Sequence, residues 1–184
     1  MAVTFTTALS SVSHAAGVAG VARAGVRAES GLREGIHALA PFAFIRFCVE
    51  NPEDCRPGQS DVARWDGATK ALVSETNAHV NRRIRPVNDR RETWSVDVVR
   101  GDCEDFALTK RRELIRAGLP ASALRLAVGK TRSGEGHAIL LVKTNAGDFV
   151  LDNRTSKVLP WHSADLTFEK VSSAENPQLW RRIN

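Results

Sequence analysis

The stretch Gly101-Asp102-Cys103-Glu104-Asp105-Phe106-Ala107 sets one cysteine among carboxylates at what reads as the first turn of a helix, the place where a nucleophilic thiol is put. From Cys103 to Ala117 there is no Gly or Pro. Ala107, Leu108, Leu114 and Ile115 recur at roughly helical spacing, and Lys110, Arg111 and Arg112 are expected to supply a solvated face. The ends agree: Asp102 can cap, Glu104 and Asp105 occupy the first turn, Arg116 the last, and Gly118 and Pro120 stop the helix. Exposed backbone N–H groups at such an N-terminus carry roughly half a positive charge, which lowers a thiol's pKa and favours the thiolate. Three nearby carboxylates pull the other way. Acidic groups crowded beside a wanted anion make sense if something neutralises them, so Asp102, Glu104 and Asp105 also suggest a hard cation, most simply calcium, held by oxygen ligands. The plainer alternative is that acidic residues merely favour a helix start and that Cys103 is a small buried residue.

Working outward, the 184 residues suit one domain. An apolar share of 42% and a charged share of 26% are those of a globular protein with a sizeable core. The excess of 26 basic over 21 acidic residues is modest, spread over several segments and accompanied by only 6% aromatics with no Tyr, a weak case for nucleic acid because the stacking-rich basic motif of single-strand binders is missing.

Residues 1–34 read as a tail or a degenerate export signal: rich in Ala, Val, Gly, Ser and Thr, with an Ala-containing boundary near Ser13-His14-Ala15-Ala16, but without a positively charged start. The stretch is too polar to span a bilayer. Residues 35–184 form the domain. Its first apolar run, Ile36 to Phe47, leads into Phe47-Cys48-Val49-Glu50-Asn51-Pro52-Glu53-Asp54-Cys55. Cys48 and Cys55 can pair if the Pro-containing loop bends back, which would point to an oxidising compartment and leave Cys103 as the odd thiol. Neither a C-x-x-C nor a matching His pair accompanies them, which argues against zinc.

Asp61 to about Asn81 reads as a helix capped by Asp61, with Val62, Trp65, Ala68, Leu72, Val73, Thr76 and Val80 as its apolar stripe and His79 as a surface or half-buried polar residue. Asn81 to Val99 is irregular, with Pro86, an Asn88-Asp89 turn, Trp94 and three arginines, Arg85, Arg90 and Arg91. That basic loop could neutralise the acidic helix start, bind an acidic substrate or simply be solvated.

Beyond Cys103 the period turns strand-like. Leu124–Val128, Ala138–Val142 and Phe149–Leu151 are three strands, with Asn145-Ala146-Gly147-Asp148 as a hairpin turn, Val158-Leu159 as a short strand, and Trp161, Phe168 and Trp180 packing the tail back on the sheet. The class is α+β: helices first, an antiparallel sheet after. A thiol needs a base, and the base a group that holds its tautomer. Cys103, His137 and Asp152 supply these in order, whereas His14, His37, His79 and His162 lack context. A plain hairpin turning at Ala146-Gly147 would set His137 opposite about residue 156 and Asp152 opposite about residue 141, so a bulge, a bend or another register is needed to join them. In a plain register Asn153 or Thr155 would be rival orienters.

Gly101-Asp102-Cys103-Glu104-Asp105-Phe106-Ala107, Gly136-His137-Ala138-Ile139-Leu140 and Leu151-Asp152-Asn153, in this order, resemble the three signature segments of the bacterial transglutaminase-like cysteine peptidases, which include the periplasmic LapG-type adhesin proteases. The Cys48/Cys55 pair, Arg116-Ala117-Gly118-Leu119-Pro120, Leu124-Arg125-Leu126 and Trp180 extend the likeness over about residues 40–182. The resemblance implies a papain-like, transglutaminase-type core with the nucleophile helix packed on an antiparallel sheet. It implies Cys103 as nucleophile, His137 as base and Asp152 as orienter, with calcium held by Asp102 and Glu104 and Asp105 as a weaker candidate. It also implies calcium-dependent cleavage of a protein substrate, in the LapG type a large surface adhesin released in biofilm processing. A periplasmic location and a membrane-anchored regulator belong to the same picture. One segment departs from the family pattern: Glu92-Thr93-Trp94-Ser95-Val96 lacks the Thr-Pro pair usual before the nucleophile.

The chemistry expected is acyl transfer through a thioester, with the Cys103 backbone N–H as one oxyanion donor and Trp94 or Asn77 as candidates for the second. An amine acceptor in place of water would make the same residues a transglutaminase or amidase. A non-catalytic calcium- or peptide-binding module keeping the fold is the reading from another class.

Overall fold

A computed structural model describes residues 1–2, 31–59, 61–88 and 92–184. The chain before Gly31, apart from Met1 and Ala2, and the loop positions Asp89, Arg90 and Arg91 lie outside the described residues, and with them the export-signal reading and the basic-loop arginines Arg90 and Arg91.

Around the nucleophile segment the sequence folds as its period dictates. Helix α3 spans Cys103–Arg116 and ends where Gly118 takes φ +95°, a conformation that costs glycine nothing. It lies against a seven-stranded antiparallel sheet of strands β1 (Glu34–Ala38), β4 (Leu124–Lys130), β5 (Gly136–Thr144), β6 (Gly147–Leu151), β7 (Leu159–Pro160), β8 (Thr167–Ser172) and β9 (Trp180–Ile183). Their order is β1-β9-β8-β4-β5-β6-β7. Helix α1 (Phe42–Glu50) and helix α2 (Gly67–Arg83) complete the helical layer, with a parallel pair of two-residue strands, β2 (Arg85–Pro86) and β3 (Arg100–Gly101), leading into α3.

The sheet is apolar on both faces, which is why β5 reads as the unbroken run Ala138-Ile139-Leu140-Leu141-Val142. Leu140, Val142, Leu126 and Leu151 face the helices and join Phe44, Phe47, Trp94, Leu108, Leu114 and Trp180 in the main core. Ile139, Leu141, Val150, Ala127 and Val171 face the other way, under Trp161, Leu166 and Phe168 from the C-terminal tail. The tail thus packs back as the sequence suggests. Cys48 and Cys55 form a disulfide with Cα atoms 5.5 Å apart, tying α1 to the turn that follows it.

Four expectations need correction. The strand β1 precedes the helices and closes the sheet beside β9, so the order is not simply helices first. Helix α2 begins at Gly67, capped by Asp66, whose carboxylate accepts from the Thr69 N–H at 2.9 Å. Asp61 cannot cap because the chain beside it is drafted into the sheet: Ala63 bridges Thr144, leaving Val62 exposed. The hairpin turns one residue earlier than expected, pairing Thr144 with Gly147, and Gly147 at φ +113° makes that tight link feasible.

The largest correction concerns α3, whose supposed solvated face is buried. Lys110 is 0% and Arg111 4% exposed. The helix is enclosed by the sheet, by α2 and by the disulfide loop. Arg111 therefore finds carbonyls, donating to Leu124 O at 2.9 Å and to Asp54 O at 2.6 Å, while Arg112 reaches the carboxylates of Asp54 and Asp97. A basic helical face read as solvated is instead the dock for the Cys48–Cys55 loop. No helix among the described residues is long and apolar enough to cross a membrane.

Candidate active site

The start of α3, the start of β5 and the turn after β6 meet at one cleft of about 1130 Å³, lined among others by Trp94, Asp102, Cys103, Glu104, His137 and Arg154. Gly101 is required by what lies beneath it: a Cβ there would come within 2.1 Å of the Asp105 carboxylate. Asp105 is drawn under the loop by the Ser95 N–H, which donates to its Oδ1 at 2.7 Å, and it does not line the cleft. Asp102 stands at the N-cap with extended backbone but makes no side-chain capping bond; its side chain faces the cleft beside Cys103 and Glu104.

Cys103 is half-buried at the first position of α3. Its Sγ–H donates to Glu104 Oε2 at 3.1 Å, and Ala138 N–H donates to Sγ at 3.4 Å. Burial first, and then the Glu104 charge, push the thiol up to about 12. The helix-terminus effect expected to favour the thiolate is therefore outweighed. Glu104 is itself pushed up to about 7, chiefly by burial, with the Asp102 charge acting in the same direction against the hydrogen bond from Cys103. Two carboxylates crowd a thiol here and both raise its pKa, the electrostatic condition a hard cation relieves. Asp102 and Glu104 fit that role. Among the described residues no group of three or more His, Cys, Asp or Glu side chains could hold a metal ion. These two would therefore supply only part of an oxygen shell.

His137 and Asp152, the other two residues singled out, are brought together. Their Nε2 and Oδ1 atoms lie 2.9 Å apart, both side chains more than nine-tenths buried. The observed register explains how. With Leu140 opposite Leu151, the next step sets Asp152 opposite Ile139. His137 is then its diagonal neighbour on the same side of the strand, a separation long side chains span. No bulge is needed. Burial acts to raise the Asp152 pKa, yet the hydrogen bonds from His137 and Arg154 prevail and hold it well below the usual carboxylate range. His79 is exposed, as expected.

The second oxyanion candidates separate cleanly. Asn77 is fully buried behind the site, where its Nδ2 donates to Thr155 O at 3.0 Å. Trp94 lines the cleft, 4% exposed, with a buried Nε1 that has no partner. Arg154 escaped the sequence reading: it wraps Asp152 from the cleft side, with Nη2 donating to Oδ2 at 2.7 Å. The signal was present in its placement two residues beyond Asp152, where a side chain can fold back on a carboxylate.

Comparison with known proteins identifies the family of the chain. The model of the bacterial transglutaminase-like cysteine proteinases matches residues 34–184. The calcium-bound structure of Legionella pneumophila LapG is 26% identical, with a TM-score of 0.52 over 61% of this chain and 68% of that one. The EGTA-treated form of the same protein gives a TM-score of 0.50 at 26% identity, over 61% of this chain and 66% of the other. A search of curated proteins returns no match.

Proposed function

The chain belongs to the bacterial transglutaminase-like cysteine proteinases, and we propose that its domain, residues 35–184, cleaves an amide bond of a protein substrate with Cys103 as nucleophile, His137 as base and Asp152 as orienter. The observation that supports this most is the buried His137–Asp152 hydrogen bond at 2.9 Å, opening on the cleft that holds the only free cysteine of the chain.

The tautomer follows from that bond. With Nε2–H given to Asp152, Nδ1 is left as the basic nitrogen for the thiol. His137 takes the Cys103 proton, the sulfur forms a bond to the substrate carbonyl carbon, and the oxygen becomes an oxyanion. The Cys103 backbone N–H, which has no partner within the helix, and Trp94 Nε1 are the proposed donors to it. His137 then returns the proton to the amide nitrogen as the C–N bond breaks, leaving a thioester. Water, deprotonated by His137, adds to the thioester, and the departing thiolate recovers that proton.

Asp102 and Glu104 are the proposed calcium ligands. The ion supplies positive charge beside a thiol that burial and Glu104 otherwise keep protonated. Support comes from the crowding of these carboxylates and from the likeness to a protein solved in calcium-bound form. The disulfide suits an oxidising compartment, which with the LapG likeness supports a periplasmic enzyme acting on a large surface adhesin.

The test is the rate of Cys103 alkylation by iodoacetamide with and without calcium, with His137→Ala as control. Labelling that quickens with the ion and depends on His137 is expected. Slow labelling indifferent to both would overturn the reading in favour of a binding module.

A further inference from the structure

We propose that Arg154 is a positioning residue for this reaction: from the cleft wall it grips the Asp152 carboxylate so that one oxygen stays aimed at His137. The inference rests on the triad reading above and adds a residue to it.

A carboxylate on a short side chain turns readily about its last torsion, whose energy wells are broad. A single hydrogen bond to a histidine does not settle which oxygen is offered. In this site Arg154 settles it. Asp152 Oδ2 accepts from Arg154 Nη2 at 2.7 Å and Nε at 3.1 Å. Oδ1 accepts from the Arg154 backbone N–H at 2.9 Å and, more weakly, from its Nε at 3.3 Å, and keeps the 2.9 Å contact to His137 Nε2. One residue thus holds both oxygens, through a planar fork and through its own main chain. A lysine could restore the charge but not the fork.

The clamp is itself anchored to Asp165, another residue of the cleft wall. Arg154 Nη2 also donates to Asp165 O at 3.1 Å, and Nη1 lies 3.7 Å from Asp165 Oδ2. Arg132, in the loop that leads to His137, lies 3.3 Å from Asp165 Oδ1. From behind, Asn81 Nδ2 donates to the Asp152 carbonyl at 2.9 Å, so side chain and main chain are held from opposite sides. The Arg154 side chain is 35% exposed, so solvent screens its attraction to Asp152. Orientation is then its main contribution, with a small share in the stability that the lowered Asp152 pKa carries. With the carboxylate fixed, His137 keeps the Nε2–H tautomer and presents Nδ1 to Cys103.

The experiment reads the ring and the thiol separately. In the full chain labelled with ¹⁵N-histidine, wild type should show a slowly exchanging His137 Nε2–H proton. Arg154→Leu should lose or broaden that signal and slow iodoacetamide alkylation of Cys103 about 10- to 100-fold, the cost of a misplaced catalytic group, with Tm within about 2 °C of wild type, as for a surface substitution. Arg154→Lys should show the same loss, and it carries the test if the leucine variant does not fold. An unchanged signal and alkylation rate in the variants would overturn the proposal. So would their decline only in step with a large fall in Tm, which would make Arg154 a structural residue. A wild-type protein with no protected Nε2–H, or with alkylation indifferent to His137→Ala, would instead point to failure of the triad reading itself.

Discussion

Asp152 Oδ1 lies 2.9 Å from His137 Nε2 although the register of the hairpin places Asp152 across from Ile139, two residues further along. The contact is diagonal, and it depends on the carboxylate being charged and correctly turned. Asp152→Asn keeps the shape but offers an N–H where an acceptor is needed, which favours the wrong histidine tautomer. Turnover is expected to fall on the order of 10³-fold or more, with little change in substrate KM. Activity within a few-fold of wild type would remove Asp152 from the triad.

The same carboxylate sets an acid limb of stability. Its folded pKa lies below the unfolded value near 3.9, so its contribution is present above about pH 4 and is lost as pH falls toward the folded value. Asp152→Asn should therefore be less stable than wild type at pH 6, with the gap narrowing as pH falls below about 4. Denaturant midpoints across that range measure it, and a constant gap would argue against the linkage.

Crowding at the head of α3 makes a prediction about the ion. Asp102→Asn or Glu104→Gln should weaken the calcium response of Cys103 labelling, whereas Asp105→Asn should leave that response in place, because Asp105 is committed to Ser95. Its own penalty should appear in Tm. Wild-type labelling that proceeds equally fast in excess EGTA would exclude the metal role of both residues.

Much of this site was legible because it depends on short-range chemistry. Helix α3 announced itself through its period and its Gly118 stop, and His137 and Asp152 through their positions at strand ends. Their contact was not legible, since a one-residue error in the turn displaces the expected partner by two residues along the opposite strand. The buried face of α3 was hidden for another reason. Lys110 and Arg111 are polar by composition, and the sheet, α2 and the disulfide loop that enclose them come together only in the fold. Arg154 was missed because a basic residue in a turn reads as solvated until its carboxylate partner is located.

Trp94 offers a test of the oxyanion assignment that packing does not confuse. Its ring lies against Phe44, with centroids 5.4 Å apart, and its Nε1 is buried without a partner beside the cleft. Trp94→Phe retains much of the apolar ring and removes the donor. A fall in kcat of about 10²-fold is expected from loss of one such donor, with KM largely kept. A change confined to KM would make Trp94 a wall of the substrate cleft and leave the second donor elsewhere.

Lys110 reports on stability from the far side of the site. Its ammonium is fully buried on α3, without a hydrogen-bond partner, 5.8 Å from the Phe106 ring centroid, and burial drives its pKa down to about 7 against the attraction of Asp152. The unfolded chain keeps that proton up to about pH 10.4. Between pH 7 and pH 10 the unfolded state therefore binds more protons at this position than the folded state, and the Lys110 contribution must raise stability as pH rises. Cys103 acts in the opposite sense above about pH 8.5, where an unfolded thiol ionises while the folded one, pushed up to about 12, does not. The two are separated in a Cys103→Ala background. There, replacing Lys110 with Met should flatten the rise in denaturant midpoint between pH 7 and pH 10, and an unchanged slope would mean that Lys110 stays charged in the folded protein across that range.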